Sequence, residues 1–285
     1  MERLQTRELA YFVAVAEELH FGRAAQRLGI AQPPLSRAIG RLERRMGVTL
    51  LERGGRRVTL TPAGEVFLAE SRRALDAVDA AVRRAQRAAR PAARLVLVMK
   101  PGGDCGLLPG LLALYQAEPD AVPVEVVLCR AHERAGMLRD GRADVGLLHR
   151  PDNDLTGLDT EDLLTEDQVV VLSRDHRLAN RSSIRLADLA GETTARWAAG
   201  PPEVPGTVRV GDAGELMQLV ALGRTVAVVP ASVRSQLRAD LTCVPVADAA
   251  PTTLVLAWPE GRRSRALAAF VRTAVATAQA KPGAR

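Results

Sequence analysis

Ser36, Arg37, Gly40, Arg41, Arg44 and Arg45 are followed by Arg53, Arg56 and Arg57 around a Gly54-Gly55 pair. Small, polar and cationic side chains in helical register can enter a major groove, where guanidinium groups meet guanine edges or phosphate. Arginines at the tip of a glycine turn can reach phosphates or the minor groove. A second set lies further along: Lys100, Gly102 and Gly103 precede a predicted helix, and His149 with Arg150 follows an apolar run. Approachable glycine amides near a helix start favour an anion, and an arginine can grip a carboxylate bidentately. Solvated basic faces and exposed strand-end lysines look the same in composition, so each set depends on the elements that hold it.

For the first set those elements are legible. Leu9, Phe12, Val13, Ala16 and Leu19 form the apolar stripe of a first helix, with Phe12 and Phe21 assigned to the core. Ala24, Ala25 and Leu28 mark a second helix that Gly29 ends, and Ile30 fills the turn. Gln32, Pro33 and Pro34 open a third, because proline is tolerated in a first turn whose amides lack intrahelical partners. Leu35, Ile39, Leu42 and Met46 must then face the core, which leaves the basic residues on the other faces. Gly47 closes that helix, and Val48, Leu50 and Leu51 followed by Val58 and Leu60 predict two short strands.

Thr61 and Pro62 suit the N-cap and first position of a long helix that reaches Arg90 and stops at Pro91. Within it Leu68, Leu75, Val82 and Ala89, with Ser71, Val78 and Ala85, trace a coiled-coil seam. Arg72, Arg73, Arg83, Arg84 and Arg87 are expected beside or opposite the seam, in solvent. A lone amphipathic helix packed on its own domain also fits; a dimerising helix would set two recognition helices at spaced half-sites.

The charge is divided sharply. Residues 1–90 hold 17 Lys and Arg against 10 Asp and Glu, and residues 91–285 hold 22 against 23. A cationic module on a near-neutral remainder is the footprint of nucleic-acid binding rather than of a generally basic enzyme.

Ala24-Ala25, Leu28, the run Ala31-Gln32-Pro33-Pro34-Leu35-Ser36-Arg37, Leu42-Glu43, Gly47, Leu50-Leu51-Glu52-Arg53 and Leu60-Thr61-Pro62-Ala63-Gly64 together resemble the winged helix-turn-helix of LysR-type transcriptional regulators. The likeness is dense over residues 7–90. It implies a winged helix-turn-helix DNA-binding domain (1–61), a linker helix (62–91) and a two-lobed α/β effector-binding domain of periplasmic-binding-protein type (92–285). Lobe I would take about 92–163 and 258–280, and lobe II about 166–257. A homotetramer, a dimer of dimers, would bind and bend double-stranded promoter DNA and answer to a small-molecule effector, for which an organic acid is the candidate, with RNA polymerase as a further partner. The resemblance assigns DNA contacts to Gln32, Pro33, Pro34, Ser36, Arg37 and Arg53, and the wing tip adds Arg56. Arg37 suits guanine or phosphate, Gln32 adenine, Ser36 phosphate, and the prolines a thymine methyl. Gly22 departs from the family's Ser or Thr, which removes a phosphate-binding hydroxyl.

Beyond Arg94 the strand candidates are Leu95–Met99, Val122–Leu128, Asp144–Leu148, Gln168–Ser173, Thr225–Val229 and Thr253–Trp258, separated by helical stretches. This texture predicts largely parallel sheets with a ligand beyond the carboxyl ends of the strands. The family's paired crossovers are placed near Leu163–Glu166 and Ala257–Pro259. The effector candidates are Lys100, Gly102, Gly103, His149 and Arg150, and Asp104 is expected to repel an anion. Asp212 and Glu215 fit a capping box, and Thr225 stands where the family has glycine. Residues 193–210, with Pro201, Pro202 and Pro205, leave no room for the helix relatives carry there; Trp197 is placed to cover the cleft or simply to pack.

No nucleophile elbow, P-loop or dinucleotide fingerprint can be read, so catalysis is not expected. Four histidines lack metal-ligand spacing, and no cofactor is expected. Cys105, Cys129 and Cys243 are odd in number and widely spaced, which fits free thiols in a reducing cytoplasm. No spanning segment is expected. An architectural DNA binder whose C-terminal lobes serve assembly alone stays open as the alternative.

Overall fold

The computed structural model describes residues 4–54, 57–89, 93–130, 132–197 and 204–281. The chain divides into two units, residues 1–86 and 87–285.

In the first unit, helices α1 (Thr6–Glu18), α2 (Phe21–Arg27) and α3 (Gln32–Met46) precede a hairpin of β1 (Leu51–Gly54) and β2 (Arg57–Leu60) and the long helix α4 (Pro62–Ala88). Their apolar stripes meet in one core: Phe12, Val15 and Ala16 from α1, Phe21, Ala24 and Ala25 from α2, and Leu35, Ile39 and Leu42 from α3. The Phe12 ring packs 4.9 Å from that of Phe67 on α4. Leu19 departs from the predicted stripe. It is exposed and takes the left-handed conformation that ends α1, with its amide on the Val15 carbonyl.

Three polar ties fix the module. His20 caps α2, its Nδ1 accepting the amides of Gly22 (3.1 Å) and Arg23 (3.2 Å). Glu43 Oε1 accepts the amides of Leu50 (2.9 Å) and Leu51 (3.1 Å), tying α3 to the wing. Thr61 caps α4, its hydroxyl accepting the Gly64 amide at 2.9 Å. Gly64 itself lies so close to the Leu50 carbonyl that any Cβ would collide with it.

In the second unit, lobe I is a five-stranded sheet of order β4-β3-β5-β12-β6: β3 (Leu95–Met99), β4 (Val124–Leu128), β5 (Val145–Arg150), β6 (Leu158–Glu166) and β12 (Thr252–Pro259). Leu95, Leu97 and Met99 face α5 (Leu108–Tyr115) and α8 (Arg265–Gln279), while Val96 and Val98 face α6 (Arg134–Arg139). Burial on both faces explains the unbroken apolar runs. Lobe II is a sheet of β10 (Ala227–Pro230), β7 (Gln168–Ser173) and β11 (Leu241–Pro245), with a separate pair β8 (Thr194–Trp197) and β9 (Thr207–Val210) and helix α7 (Ala213–Ala221).

The expectation of largely parallel sheets needs correction. β4, β3 and β5 are parallel, but β12 runs antiparallel to β5 and β6, and both neighbours of β7 are antiparallel to it. β12 returns from lobe II against the direction of β5. It pairs along its whole length, from Thr252 opposite Glu166 to Pro259 opposite Leu158, so the return crossover lies just before Thr252 and not at Ala257–Pro259. All of β12 belongs to lobe I. The segment expected to be merely shortened forms a parallel strand pair, Thr194 opposite Thr207 through Trp197 opposite Val210, with residues 198–203 outside the described residues.

Candidate nucleic-acid interface and ligand cleft

The core face of α3 fixes what its other face shows. With Leu35, Ile39 and Leu42 fully buried, Gln32, Pro33, Pro34, Arg37, Arg41 and Arg44 are exposed and Ser36 is half-buried. Arg37, Arg41 and Arg44 make no ion pair among the described residues. Arg45, read from sequence as part of the same basic face, is instead paired with Glu8 of α1 at 2.5 Å. The hydrogen bond from Arg45 is the main cause that holds the Glu8 carboxyl below its ordinary range. Arg27 and Arg72 likewise converge on Glu17, each at 2.7 Å, so Arg72 is engaged by α1 and not merely solvated. These pairs neutralise Arg27, Arg45 and Arg72, and on α3 they leave Arg37, Arg41 and Arg44 exposed. In the wing, Arg53 lies in β1 opposite Val58, and Arg56 lies outside the described residues.

On α4 the seam behaves in two ways. Phe67 and Leu68 pack on the module's own core, and Ser71 is buried. Val78 and Val82 are exposed, at 44% and 53%.

In the second unit the chain leaves β3 through α5 on one face of the sheet and re-enters β5 from α6 on the other. The edge between β3 and β5 is therefore a topological switch point, where ligands of open α/β sheets bind. Lys100 follows β3 there, and His149 lies near the end of β5. Three cavities of about 510, 580 and 320 Å³ meet at this edge, and Lys100 and Trp197 line all of them. The Lys100 ammonium lies 6.0 Å from the Trp197 ring centroid, within reach of a cation–π interaction.

Arg134, the first residue of α6, turns inward and is 1% exposed, and its Nη1 donates to the Leu147 carbonyl at 2.6 Å. Burial lowers its pKa to about 10. Burial, then Lys100 and then Arg134, push His149 down to about 3, so its imidazole is neutral. Its Nδ1 is buried without a hydrogen-bond partner among the described residues. Lys100 is itself shifted down, chiefly by burial and then by Arg134. Desolvated cations with an unsatisfied imidazole form a site for an anion.

Other candidates fall elsewhere. Arg150 is ion-paired with Asp162 at 3.1 Å and lines none of the three cavities, because neighbours on a strand point to opposite faces. Gly103 is buried and its amide donates to the Lys100 carbonyl, so it is not open to a ligand; Gly102, at a positive φ of 65°, lines the third cavity. The helix begins at Leu108, and Asp104 caps it by accepting the Leu108 amide at 3.2 Å. Asp104 is thus directed at a helix start, where a carboxylate is favourable. Asp212 caps α7, accepting the Glu215 amide at 2.9 Å, while Glu215 accepts the amide of Gly211 (2.6 Å) and not that of Asp212, so the reciprocal half of the expected capping box is shifted by one residue. Thr225 is buried and its hydroxyl donates to the Thr193 carbonyl at 2.9 Å.

Arg134 was missed in the sequence. Its signal was an arginine in register with buried Ala135, Met137 and Leu138. Glu166 was missed too: its Oε2 accepts the Cys105 thiol of lobe I at 3.0 Å and the Ser232 hydroxyl of lobe II at 2.9 Å. Burial and the bond to Glu166 push the Cys105 thiol up to about 12, which keeps it protonated.

Residues 6–65 match the family described as bacterial regulatory helix-turn-helix protein, lysR family, and residues 88–279 match the LysR substrate binding domain. The chain belongs to the LysR family. Among curated relatives of this LysR-family regulator, the Hca operon transcriptional activator HcaR of Escherichia coli (strain K12) is 32% identical over 94% of this chain and 96% of its own. The HTH-type transcriptional regulator AlsR of Bacillus subtilis (strain 168) is 39% identical over 66% of this chain and 63% of its own. Solved structures agree: full-length BenM at 29% identity and TM-score 0.52, covering 95% of both chains, and full-length CbnR complexed with target DNA at 26% and 0.52, covering 96% and 100%. The protein is a DNA-binding transcriptional regulator with a ligand-binding second domain. Among the described residues no helix is long and apolar enough to cross a membrane.

Proposed function

We propose that this LysR-family regulator binds promoter DNA as a dimer of dimers in the cytoplasm and adjusts transcription, through RNA polymerase, when a small organic acid occupies the cleft at Lys100. The observation that carries the DNA half is the exposed first turn of α3, presented by a helix whose opposite face is fully buried. Recognition helices read base edges through their N-terminal residues. Gln32, Pro33, Pro34, Ser36 and Arg37 take that role, with Arg53 and Arg56 at the wing. The exposed Val78 and Val82 support pairing through α4. Lys100, His149 and Arg134, drawn together at the switch point, support an anionic effector; Gly102 borders it. The protein regulates and does not catalyse. An assembly-only role for the second domain is disfavoured, because residues 88–279 match the LysR substrate binding domain.

A mobility-shift titration of Arg37→Ala on the adjacent intergenic DNA tests this. Loss of a bidentate base contact costs about 1–3 kcal/mol of discrimination, so the specific complex disappears while weak, salt-sensitive binding persists. Unchanged specific binding at moderate salt refutes the assignment.

A further inference from the structure

We propose that the effector is a monoanionic acid with a compact apolar body, its carboxylate held by Lys100 and His149 and its body lying against Leu216, Met217, Val229 and Val233. The inference rests on the reading of the cleft as an effector site and adds which ligand class that site accepts.

The three cavities differ in charge. One is bordered by Glu133 and Asp212 as well as Arg130. The largest holds Arg134 and Arg196 but also Asp152, whose charge acts on both Lys100 and Arg134. The third, of about 320 Å³, has no Asp or Glu in its described lining. Its second cation, Arg238, is already held by Asp240 at 2.7 Å and by Gln218 at 2.8 Å. Lys100 is therefore the one cation facing this cavity that no carboxylate among the described residues pairs.

His149 adds direction. The residue lines this cavity, and a neutral imidazole can donate one hydrogen bond. A carboxylate seated between Lys100 and His149 gives the ammonium a counter-charge and accepts that hydrogen bond. Of the other polar groups in this cavity, Ser232 donates to Glu166 and Arg238 is held by Asp240 and Gln218. The facing wall of Leu216, Met217, Val229 and Val233 offers apolar surface, with no cation in it for a second carboxylate. Its volume is at the low end of ligand pockets, which run about 300–1,000 Å³.

Isothermal titration of the full-length protein decides the matter, with cyclohexanecarboxylate and hexanoate as probes, cyclohexanecarboxamide as the neutral match and adipate as the dianion. The monocarboxylates bind, and the amide binds at least about tenfold more weakly, because a hydrogen bond to a charged group is lost. Lys100→Met removes binding. His149→Leu weakens it about tenfold, while His149→Gln, which keeps a donor, recovers most of it. Circular dichroism confirms that each variant is folded. Binding of adipate in a Lys100-dependent manner, with the monocarboxylates silent, overturns the inference and leaves the effector reading intact. Silence toward every anion, in protein that still shifts its promoter, overturns both.

Discussion

His149 shows how a neighbourhood selects a protonation state. Burial disfavours its charged form, and the neighbouring Lys100 and Arg134 disfavour a third positive charge further, so the native pKa falls to about 3 from an ordinary 6.5. Between those values the unfolded chain binds a proton that the native state does not, and stability falls as the pH falls; above 6.5 the group contributes no slope. His149→Gln removes that penalty. Its urea midpoint should vary less between pH 6.5 and pH 4 than that of the parent protein, and equal slopes would show that the imidazole is not the responsive group. Lys100 and His149 could be singled out in the sequence because each follows an apolar run. Arg134 was not, because its register with Ala135, Met137 and Leu138 in a short helix is a weak signal until the neighbouring strand supplies the Leu147 carbonyl. Arg150 misled for a related reason: only the register of β5 against β12 decides which of two adjacent side chains faces the cleft.

At the scale of elements, α3 and α4 contrast. The apolar spacing of α3 was decisive, since three fully buried positions leave one orientation for the helix, and Gly47 in the left-handed conformation ends it as expected. The spacing of α4 was ambiguous because the same residues serve two surfaces. Its N-terminal part completes the module's core through Phe67 and Leu68, and only further along do Val78 and Val82 remain exposed. Replacing both valines with aspartate places like charges across any paired seam. Light scattering should then report a lower molar mass than for the parent protein; an unchanged mass means that α4 is not the pairing element. One of the strands missed in the sequence was hidden by its composition. β6, LDTEDLLTE, is too polar to read as a buried strand, yet it sits at the sheet edge and pairs only with β12.

At the scale of the molecule, the second unit is two lobes joined at the ends of β6 and β12. Gln168 and Thr252 are hydrogen-bonded there in a buried setting, and Glu166 accepts one bond from each lobe. Glu166→Ala strips the acceptor from two buried or half-buried donors, so the second unit should lose about 1–3 kcal/mol, read from denaturant unfolding. Glu166→Gln, which keeps an acceptor, should lose less. A variant as stable as the parent would show that the bridge is immaterial. The sequence by itself determined the DNA-binding module, its linker helix and the family of the whole chain, because those rest on local spacing: helical periodicity, caps and turn residues act within a few positions. Tertiary structure alone decided which charged groups share the cleft, since Lys100, Arg134, His149 and Trp197 come from four separate elements. Local periodicity places each of them on an element. Strand order, register and burial, which are long-range properties, bring them together and set their charge.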